Sequence, residues 1–132
     1  MILVDTSAWV EFLRGTGSEV NRRLRSLIEE QEPLATTEIV VMEVLAGARD
    51  DAHQRSLRRL LLRCELLSIE GLADYEEAAA VFRRCRRRGE TVRRLVDCLV
   101  ATVVIRSGVE LLHSDADFDA IARHTGLRVR SA

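Results

Sequence analysis

Apolar and polar residues alternate along this chain at two different spacings. Short apolar runs, such as 2–4 and 109–112, are separated by longer segments in which apolar residues recur every three or four positions. The first pattern is typical of buried strands and the second of helices that bury one face. Their alternation predicts a parallel α/β sheet. Strands are predicted at 2–5, 34–35, 65–69, 109–112 and 127–130, the last as an edge strand.

Helix boundaries follow from capping residues and helix breakers. Thr6 and Ser7 are suited to cap the first helix, Pro33 closes the second, and Gly108 ends the most regular one. Helices are predicted at 6–13, 19–30, 36–47, 55–63, 73–88, 92–107 and 118–124. The pattern therefore predicts five strands and about seven helices in one domain, residues 1–132.

Composition adds expectations about compartment. With 132 residues, 47% of them hydrophobic and 31% charged, the chain has the size of one globular domain. The opening residues carry no positively charged leader, so we expect neither a signal peptide nor a transit peptide. The longest apolar stretch, 98–105, is far shorter than the ~20 residues of a membrane span. Three cysteines without a C-x-x-C pair favour the reducing cytoplasm.

The candidate chemistry lies in acidic residues at unusual places in this pattern. Asp5 and Asp115 fall just after predicted strands, at the carboxyl edge where open α/β sheets bind ligands. Asp97 and Glu43 are single acids within apolar helical runs. For Glu43, an exposed helix position is the ordinary explanation.

The other acids also have ordinary structural explanations, and these remain open. Asp5 is suited to cap the following helix, and either Asp115 or Asp117 is suited to start the last one. Asp97 is spaced for a helical pair with Arg93. A non-functional interpretation requires all of these explanations to hold at once.

Carboxylates that converge without a counter-cation repel one another and shift each other's pKa values. A convergent set therefore predicts a divalent cation held by oxygen ligands, for which Mg²⁺ or Mn²⁺ fits best. His53, His113 and His124 show no metal-ligand spacing and are interpreted as surface or hydrogen-bonded residues. Zinc is therefore disfavoured.

The chain resembles the PIN-domain nucleases and, among them, the VapC-like toxins of bacterial toxin–antitoxin modules. The resemblance covers nearly the whole chain and rests on four segments in order. They are Val4-Asp5-Thr6-Ser7-Ala8-Trp9, Glu43-Val44-Leu45-Ala46-Gly47, Val96-Asp97-Cys98-Leu99-Val100-Ala101 and Leu112-His113-Ser114-Asp115-Ala116-Asp117-Phe118. No single segment is specific, but their ordered set is.

The resemblance implies a five-stranded parallel sheet with helices on both faces and endoribonuclease cleavage of RNA phosphodiester bonds. It also implies a Mg²⁺ or Mn²⁺ site formed by four catalytic acids: Asp5, Glu43, Asp97 and Asp115. Asp117 would be a supporting acid and Ser7 a hydroxyl near the metal site. His113 departs from the pattern, since many family members carry a hydroxyl residue there.

The same resemblance implies a small antitoxin as partner, and a homodimer. A free ribonuclease harms its host cell, so the antitoxin is expected to cover the carboxylates. Trp9, Phe12 and Leu13 are suited to line a groove near Asp5 for an amphipathic antitoxin segment. Plain core packing of these three residues remains the alternative.

Basic residues are concentrated just before Asp97. The net charge of −1 gives no overall attraction to RNA, but seven arginines fall within 83–94, opposed only by Glu90. Such a run is usually a solvated helix face. Arg93 and Arg94 lie within about a turn of Asp97, so binding of RNA phosphates beside the metal is the second interpretation.

Two other classes of function suit a small α/β domain with acids at its strand ends. A phosphoacceptor receiver domain needs a lysine near its last strands and a pair of acids after its first. All 20 basic residues here are arginine, and Asp5 stands alone after the first strand. A non-catalytic module that binds RNA or protein is the second alternative, and the complete set of acids argues against it.

Overall fold

The fold is built on a four-stranded parallel sheet with the strand order β3-β2-β1-β4. The computed structural model describes residues 1–130. Its strands are β1 (Ile2–Val4), β2 (Leu34–Thr36), β3 (Glu65–Leu66) and β4 (Glu110–Leu112). In the central pairings, Leu3 lies opposite Ala35 of β2 and Leu111 of β4. The predicted parallel arrangement is confirmed.

Seven helices connect the strands within residues 1–130. They are α1 (Thr6–Leu13), α2 (Glu19–Glu29), α3 (Glu38–Ala46), α4 (Asp51–Leu61), α5 (Gly71–Arg87), α6 (Leu95–Ser107) and α7 (Ala116–His124). α4 begins earlier than predicted because Asp50 caps it, accepting the N–H of His53 at 2.7 Å. α6 begins later, because Arg94 still has extended backbone with φ −123° and ψ 115°.

The fifth predicted strand, 127–130, is reduced to a single parallel bridge. Val129 lies opposite Leu111 on the outer edge of β4, held by two backbone hydrogen bonds of 2.9 and 2.8 Å. The Thr125 hydroxyl donates to the carbonyl of Ile121 at 2.7 Å, so the residues before the bridge are tied back to α7 and too few remain for a ladder. The prediction of a fifth strand is wrong, although its edge position is right. The last two residues of the predicted domain lie outside the described part.

Helices cover both faces of the sheet. α1 packs against α2 and α3, and α3 against α4, whereas α5 packs against α6 and α7. The chain moves one way along the sheet from β1 to β3 and then returns to β4 on the other side of β1. Right-handed crossovers therefore place α1–α4 on one face and α5 and α6 on the other. The reversal lies between β1 and β4, which is where open α/β sheets bind ligands.

The core lies where α6 crosses the sheet. Residues 97–104 of α6 are all buried, and Leu3, Val4, Leu111 and Leu112 of the central strands are completely covered. An ionisable side chain at this position loses its water. Among residues 1–130, no helix combines the length and the apolar composition that a membrane crossing requires.

Candidate metal centre

The carboxyl ends of β1 and β4 meet at one point of the sheet edge. The N–H of Asp5 donates to the carbonyl of Leu112 at 3.0 Å, which places the residue after β1 against the end of β4. The N–H of Ser114 donates to Ser7 Oγ at 2.9 Å. These two bonds join the start of α1 to the loop that carries Asp115.

Asp5 is buried and forms the N-cap of α1. Its Oδ2 accepts hydrogen bonds from the N–H of Ser7 at 2.9 Å and from the Ser7 hydroxyl at 2.7 Å. Burial raises the pKa of Asp5, the bonds from Ser7 oppose this shift, and the charge of Glu43 adds to it. Asp5 is thus a helix cap, as the structural explanation predicts. Its carboxyl is also repelled by the charge of Glu43.

Asp97 is the most strongly perturbed acid of this region. It lies in the first turn of α6 and is 3% exposed, and its Oδ2 has no hydrogen-bond partner among the described residues. Burial, followed by the charge of Asp5, raises the pKa of Asp97 to about 7. Arg94 opposes this shift, whereas Asp115 and Glu43 add to it. Without a cation, this carboxyl is close to half ionised at neutral pH.

The alternative explanation of Asp97 as one half of a helical pair with Arg93 is wrong. Arg93 precedes α6, and its guanidinium lies 2.9 Å from Asp115 Oδ1 and 3.1 Å from Asp117 Oδ2. Its backbone N–H also donates to Asp117 Oδ2 at 3.1 Å. Asp97 is therefore left without the cation that its sequence spacing suggests.

Asp97, Asp115 and Asp117 form the tightest group of acids. One carboxylate oxygen from each lies within 4.8 Å of the other two. Opposite ligands of Mg²⁺ are about 4 Å apart, because each lies at about 2.0–2.1 Å from the ion, so small side-chain movements would suffice. Asp117, expected only to support the site, belongs to this group, whereas Asp5 and Glu43 lie outside it.

Glu43 borders this group from α3. Its Oε1 accepts a hydrogen bond from the Thr6 hydroxyl at 2.8 Å, and its Oε2 contacts the guanidinium of Arg94. Its charge raises the pKa of both Asp5 and Asp97. Because its side chain is only one-fifth exposed and is held by two partners, Glu43 is not a freely exposed helix residue.

Arg93 and Arg94 are the counter-ions of these acids in the cation-free chain. Their side chains are still 71% and 50% exposed, so part of each guanidinium remains open to solvent. Both residues lie before α6 in extended or bent backbone, which lets their side chains turn toward Asp115, Asp117 and Glu43. A solvated helix face therefore does not describe these two arginines.

His113 lies beside the acids with its side chain 7% exposed, and it holds the backbone of one of them. Its Nδ1 accepts the N–H of Asp115 at 3.0 Å, and its Nε2 lies 3.3 Å from Asp119 Oδ1. Its ring packs against Phe118 with a centroid distance of 5.3 Å. His113 is thus a hydrogen-bonded core histidine, one of the two roles predicted for it.

Sequence reasoning missed one residue of the site. Thr6 is interpreted from the sequence as part of a helix cap, but its hydroxyl holds Glu43, which is 37 residues away. The only available signal was a hydroxyl directly after a strand-end acid. That signal does not show which partner the hydroxyl meets, because the partner belongs to another helix.

Cysteine chemistry does not contribute to the site. All three cysteines, Cys64, Cys85 and Cys98, are free thiols. Burial raises the pKa of Cys64 to about 11 and that of Cys98 to about 12. These two thiols stay protonated at neutral pH and are poor nucleophiles and metal ligands.

Comparison with known proteins agrees with this architecture. The PIN domain family model matches residues 2–124. Ribonuclease VapC11 of Mycobacterium tuberculosis is 46% identical over 132 residues, which is 99% of this chain and 98% of that protein.

Two solved structures share the fold. VapC20 of Mycobacterium tuberculosis, described as a Sarcin-Ricin loop cleaving toxin, has a TM-score of 0.72 at 19% identity and covers 97% of this chain and 99% of its own. A toxin–antitoxin complex from Klebsiella pneumoniae has a TM-score of 0.70 at 21% identity and covers 89% and 90%.

The sheet order, the acids at the β1–β4 edge and the family match together define a PIN domain, and the chain belongs to the PIN domain family. Within this family it is a VapC-like protein, since a VapC ribonuclease is 46% identical along its full length.

Proposed function

We propose that this chain, acting as a single PIN domain over residues 1–132, is a divalent-cation-dependent endoribonuclease and the toxin of a toxin–antitoxin pair. Full-length similarity to a VapC ribonuclease supports the assignment. One observation carries its catalytic part. Asp97 presents a buried carboxylate oxygen with no hydrogen-bond partner in residues 1–130, within reach of Asp115 and Asp117.

The donor atoms of the site fit Mg²⁺ or Mn²⁺. Asp97, Asp115 and Asp117 would hold the ion, with Asp5 and Glu43 beside them, and all of these ligands are hard oxygen atoms. The close group of ligands found among residues 1–130 includes neither histidine nor cysteine, so zinc fits poorly. The chemistry that such a cation supplies when bound is Lewis-acid activation of water and neutralisation of charge on the phosphate.

The surrounding residues keep the acids in place and in the correct protonation state. Ser7 orients Asp5 through two hydrogen bonds and also receives the N–H of Ser114. Thr6 fixes Glu43. The raised pKa of Asp97 means that protons compete with a cation for this carboxyl near neutral pH. Cleavage is therefore expected to rise with pH through about 7 at low cation concentration.

Arg93 and Arg94 are placed to bind RNA phosphates at this site. Each guanidinium contacts the acids, and each side chain is at least half exposed. Arginine pairs with phosphate oxygens in a forked geometry, and contacts of this kind position a nucleic acid without reading its sequence. We propose that the two arginines turn from the acids to the phosphate groups of the RNA when a cation neutralises the carboxylates.

Cleavage of RNA should depend strictly on Mg²⁺ or Mn²⁺. The purified chain is incubated with transfer, ribosomal and messenger RNA in the presence of either ion, with and without excess EDTA. We expect cleavage only with the ion present, and its loss in Asp115→Asn, because that substitution removes a charged ligand. Asp51→Asn is the matched control, since it removes an equal charge from the exposed start of α4.

Two outcomes would count against this proposal. Cleavage that survives thorough chelation, or that is equal in Asp115→Asn and the parent, would contradict the carboxylate mechanism. RNA binding without cleavage under any of these conditions would favour the non-catalytic alternative.

A cleft beside Glu43 fits the proposed antitoxin. It has a volume of about 360 Å³ and lies between α1, α3 and α4, with the apolar residues Trp9, Val10 and Leu13 on one side. Leu13 is 44% exposed, so it is available to a partner. Trp9 is completely buried in the core and Phe12 packs edge-on against it, so the core-packing alternative describes these two residues. An amphipathic segment seated in this cleft would cover Glu43 and block access to the acids.

Co-expression tests the antitoxin. The chain is expressed with the neighbouring small reading frame, and we expect a stable complex and relief of toxicity. Leu13→Asp should weaken the complex at least tenfold while the free variant still cleaves RNA. Leu72→Asp, at an apolar residue that is 73% exposed on α5, is the control and should bind like the parent. If no complex forms and toxicity persists, the antitoxin proposal is wrong.

Light scattering in the same experiment reports the oligomeric state. We propose a homodimer on the basis of the family resemblance. A second cleft of about 360 Å³ is lined by the exposed apolar residues Met42, Leu62 and Leu66, which suits a protein contact.

We place the protein in the cytoplasm, where its free thiols persist.

A further inference from the structure

A third cleft, which differs in chemistry from the two described above, lies away from the acids. It is found between the C-terminal ends of α5 and α7 and has a volume of about 240 Å³. Its lining residues are Arg84, Arg88, Arg123, His124 and Thr125. Within residues 1–130, no acidic side chain lines this cleft, and none of its residues belongs to the acid group described above.

The positive charge at this cleft is only partly compensated. Glu90 contacts Arg123 and His124, and Glu77 lies 3.9 Å from Arg84. Arg88 is exposed and has no ion-pair partner in the part of the chain that the structure describes. Three more arginines, at 83, 86 and 87, lie on the same end of α5.

Stabilisation of the helix end does not account for this surplus. Cations in the last turn of a helix offset its dipole, and each contributes about 0.3–1 kcal/mol. This effect favours Arg84, Arg86 and Arg87 in the last turn of α5 and Arg123 in that of α7, each on its own helix. It does not favour bringing the two positive helix ends together across an open cleft. Mutual repulsion in such a cluster costs stability, and an anion bound between the helices would relieve it.

The cleft is connected to the acid site by α7. The segment 90–93 is tied to both ends of this helix: Arg93 contacts Asp117 at its start, and Glu90 contacts Arg123 near its end. Asp117 and Arg123 are six positions apart on α7, which is about 9 Å along the axis at 1.5 Å per residue. Stacked nucleotides advance about 3.4 Å each, so roughly three nucleotides cover this distance.

We propose that this basic cleft binds the phosphate backbone of the RNA substrate a few nucleotides from the bond that is cleaved. The inference rests on the proposed ribonuclease function and extends it with a second anchoring point for the same strand. Arg84 and Arg88 supply the phosphate contacts, since their guanidinium groups suit phosphate oxygens. The cleft increases the affinity for RNA and fixes which phosphodiester bond of the strand lies at the acids, where the reaction takes place.

The test compares Arg84→Ala/Arg88→Ala with Arg25→Ala/Arg63→Ala. The control pair removes the same charge from exposed positions, one on α2 and one after α4. Neither position lines the cleft beside Glu43 or the basic cleft between α5 and α7. Binding of a 12-nucleotide single-stranded RNA is measured by fluorescence anisotropy with Asp97→Asn added to every protein, so that no RNA is cut. Cleavage of the same RNA and of a dinucleotide is measured without Asp97→Asn.

We expect the cleft pair to weaken 12-nucleotide binding about tenfold at low salt and to flatten the slope of log K against log salt by about 1.4, or about 0.7 per lost contact. The control pair should match the parent in both. Dinucleotide cleavage should be the same in all proteins, because a dinucleotide does not reach the cleft. Melting temperatures should agree within a few degrees.

The outcomes separate the two proposals. If the parent cleaves RNA but the cleft pair binds with unchanged affinity and salt slope, the cleft assignment is wrong and the ribonuclease function stands. If no protein cleaves RNA but the cleft pair still loses binding, the ribonuclease proposal fails and the RNA contact stands. If the cleft pair loses binding only to an acidic polypeptide such as polyglutamate, RNA is the wrong ligand class.

Discussion

Replacing Asp97 by asparagine is expected to abolish Mg²⁺-dependent RNA cleavage and to leave the cation-free protein at least as stable as the parent. The substitution keeps the shape of the side chain and removes a charge that is 3% exposed and surrounded by other acids. The amide of asparagine also supplies N–H donors for the neighbouring carboxylates of Asp115 and Asp117. Loss of a metal ligand and relief of repulsion thus act in opposite directions on function and stability.

The stability difference should depend on pH in a defined direction. The pKa of Asp97 is about 7 in the folded chain and 3.8 as the reference value, so the folded state binds a proton that the unfolded state has released. The free energy of unfolding of the parent therefore falls from about pH 4 to about pH 7 and levels off above it, by an amount on the order of 4 kcal/mol. Asp97→Asn lacks this contribution, so its advantage is greatest at pH 7 and above and vanishes below pH 4.

Thermal melting at several pH values, with and without Mg²⁺, measures this directly. Mg²⁺ should raise the melting temperature of the parent more than that of the variant, because only the parent retains the full ligand set. Glu29→Gln, an exposed acid on α2, is the control for loss of one negative charge. An Asp97→Asn protein that is destabilised but still cleaves RNA would overturn the assignment of the site.

Asp74 is almost as deeply buried as Asp97, but its substitution is expected to destabilise the fold and to leave RNA cleavage unchanged. Asp74 on α5 is 4% exposed, and Arg106 of α6 donates to it from Nε at 3.0 Å and from Nη2 at 2.8 Å. The N–H of Glu70 donates to it at 2.7 Å. These bonds, those from Arg106 above all, lower the pKa of Asp74. Its carboxylate therefore stabilises the fold by tying α5 to α6.

Asp74→Ala should lower the free energy of unfolding by about 2 to 3 kcal/mol at neutral pH, because the N–H of Glu70 and two donors of Arg106 lose their acceptor. Arg106 keeps its contacts with the Ser68 carbonyl and the Glu70 carboxylate. The expected value is at the lower end of the cost of breaking a buried ion pair, because the side chain of Arg106 is about one-third exposed and is hydrated once Asp74 is removed. The melting temperature should fall by about 10 °C. Cleavage by the folded variant below its melting point should equal that of the parent.

Acid distinguishes this residue from Asp97. A lowered pKa means that Asp74 stabilises the fold above pH 4 and that this contribution is lost as pH falls through the pKa of the folded state. The difference in the free energy of unfolding between the parent and Asp74→Ala should therefore shrink in strong acid, because protonation removes the stabilising charge of Asp74. The difference for Asp97→Asn disappears there because protonation removes the destabilising charge of Asp97. If Asp74→Ala is as stable as the parent at pH 7, the ion pair is not the tie between these helices.

Asp97 and Asp74 show which properties of a buried acid can be predicted from the sequence and which cannot. The sequence singles out Asp97 as one acid within an apolar helical run, and in the structure its side chain is buried. Its charge balance depends on which cation folds next to it. Arg93 has the spacing for that role but lies before the start of α6 and contacts Asp115 and Asp117 instead. Asp74 acquires Arg106 from another helix, which no local spacing indicates.

Most helices and strands, and the edge of the sheet that bears the site, could be predicted from local sequence patterns. Hydrophobic periodicity is local, because it reports which faces of a short segment must leave water, so it located β1, β2, β4 and the seven helices to within a few residues. It also placed Asp5 and Asp115 after strands, and the parallel arrangement brought them to a common edge.

Features that depend on contacts between distant segments could not be predicted from the sequence. The fifth strand shrank to a bridge at Val129, because pairing depends on how the residues before it are tied to α7. Asp117 entered the closest group of acids because α7 begins at the β4 end, and Thr6 reached Glu43 because α1 packs against α3. Hydrogen bonds and charge interactions act over a few ångströms, and only the packed chain sets which groups come that close.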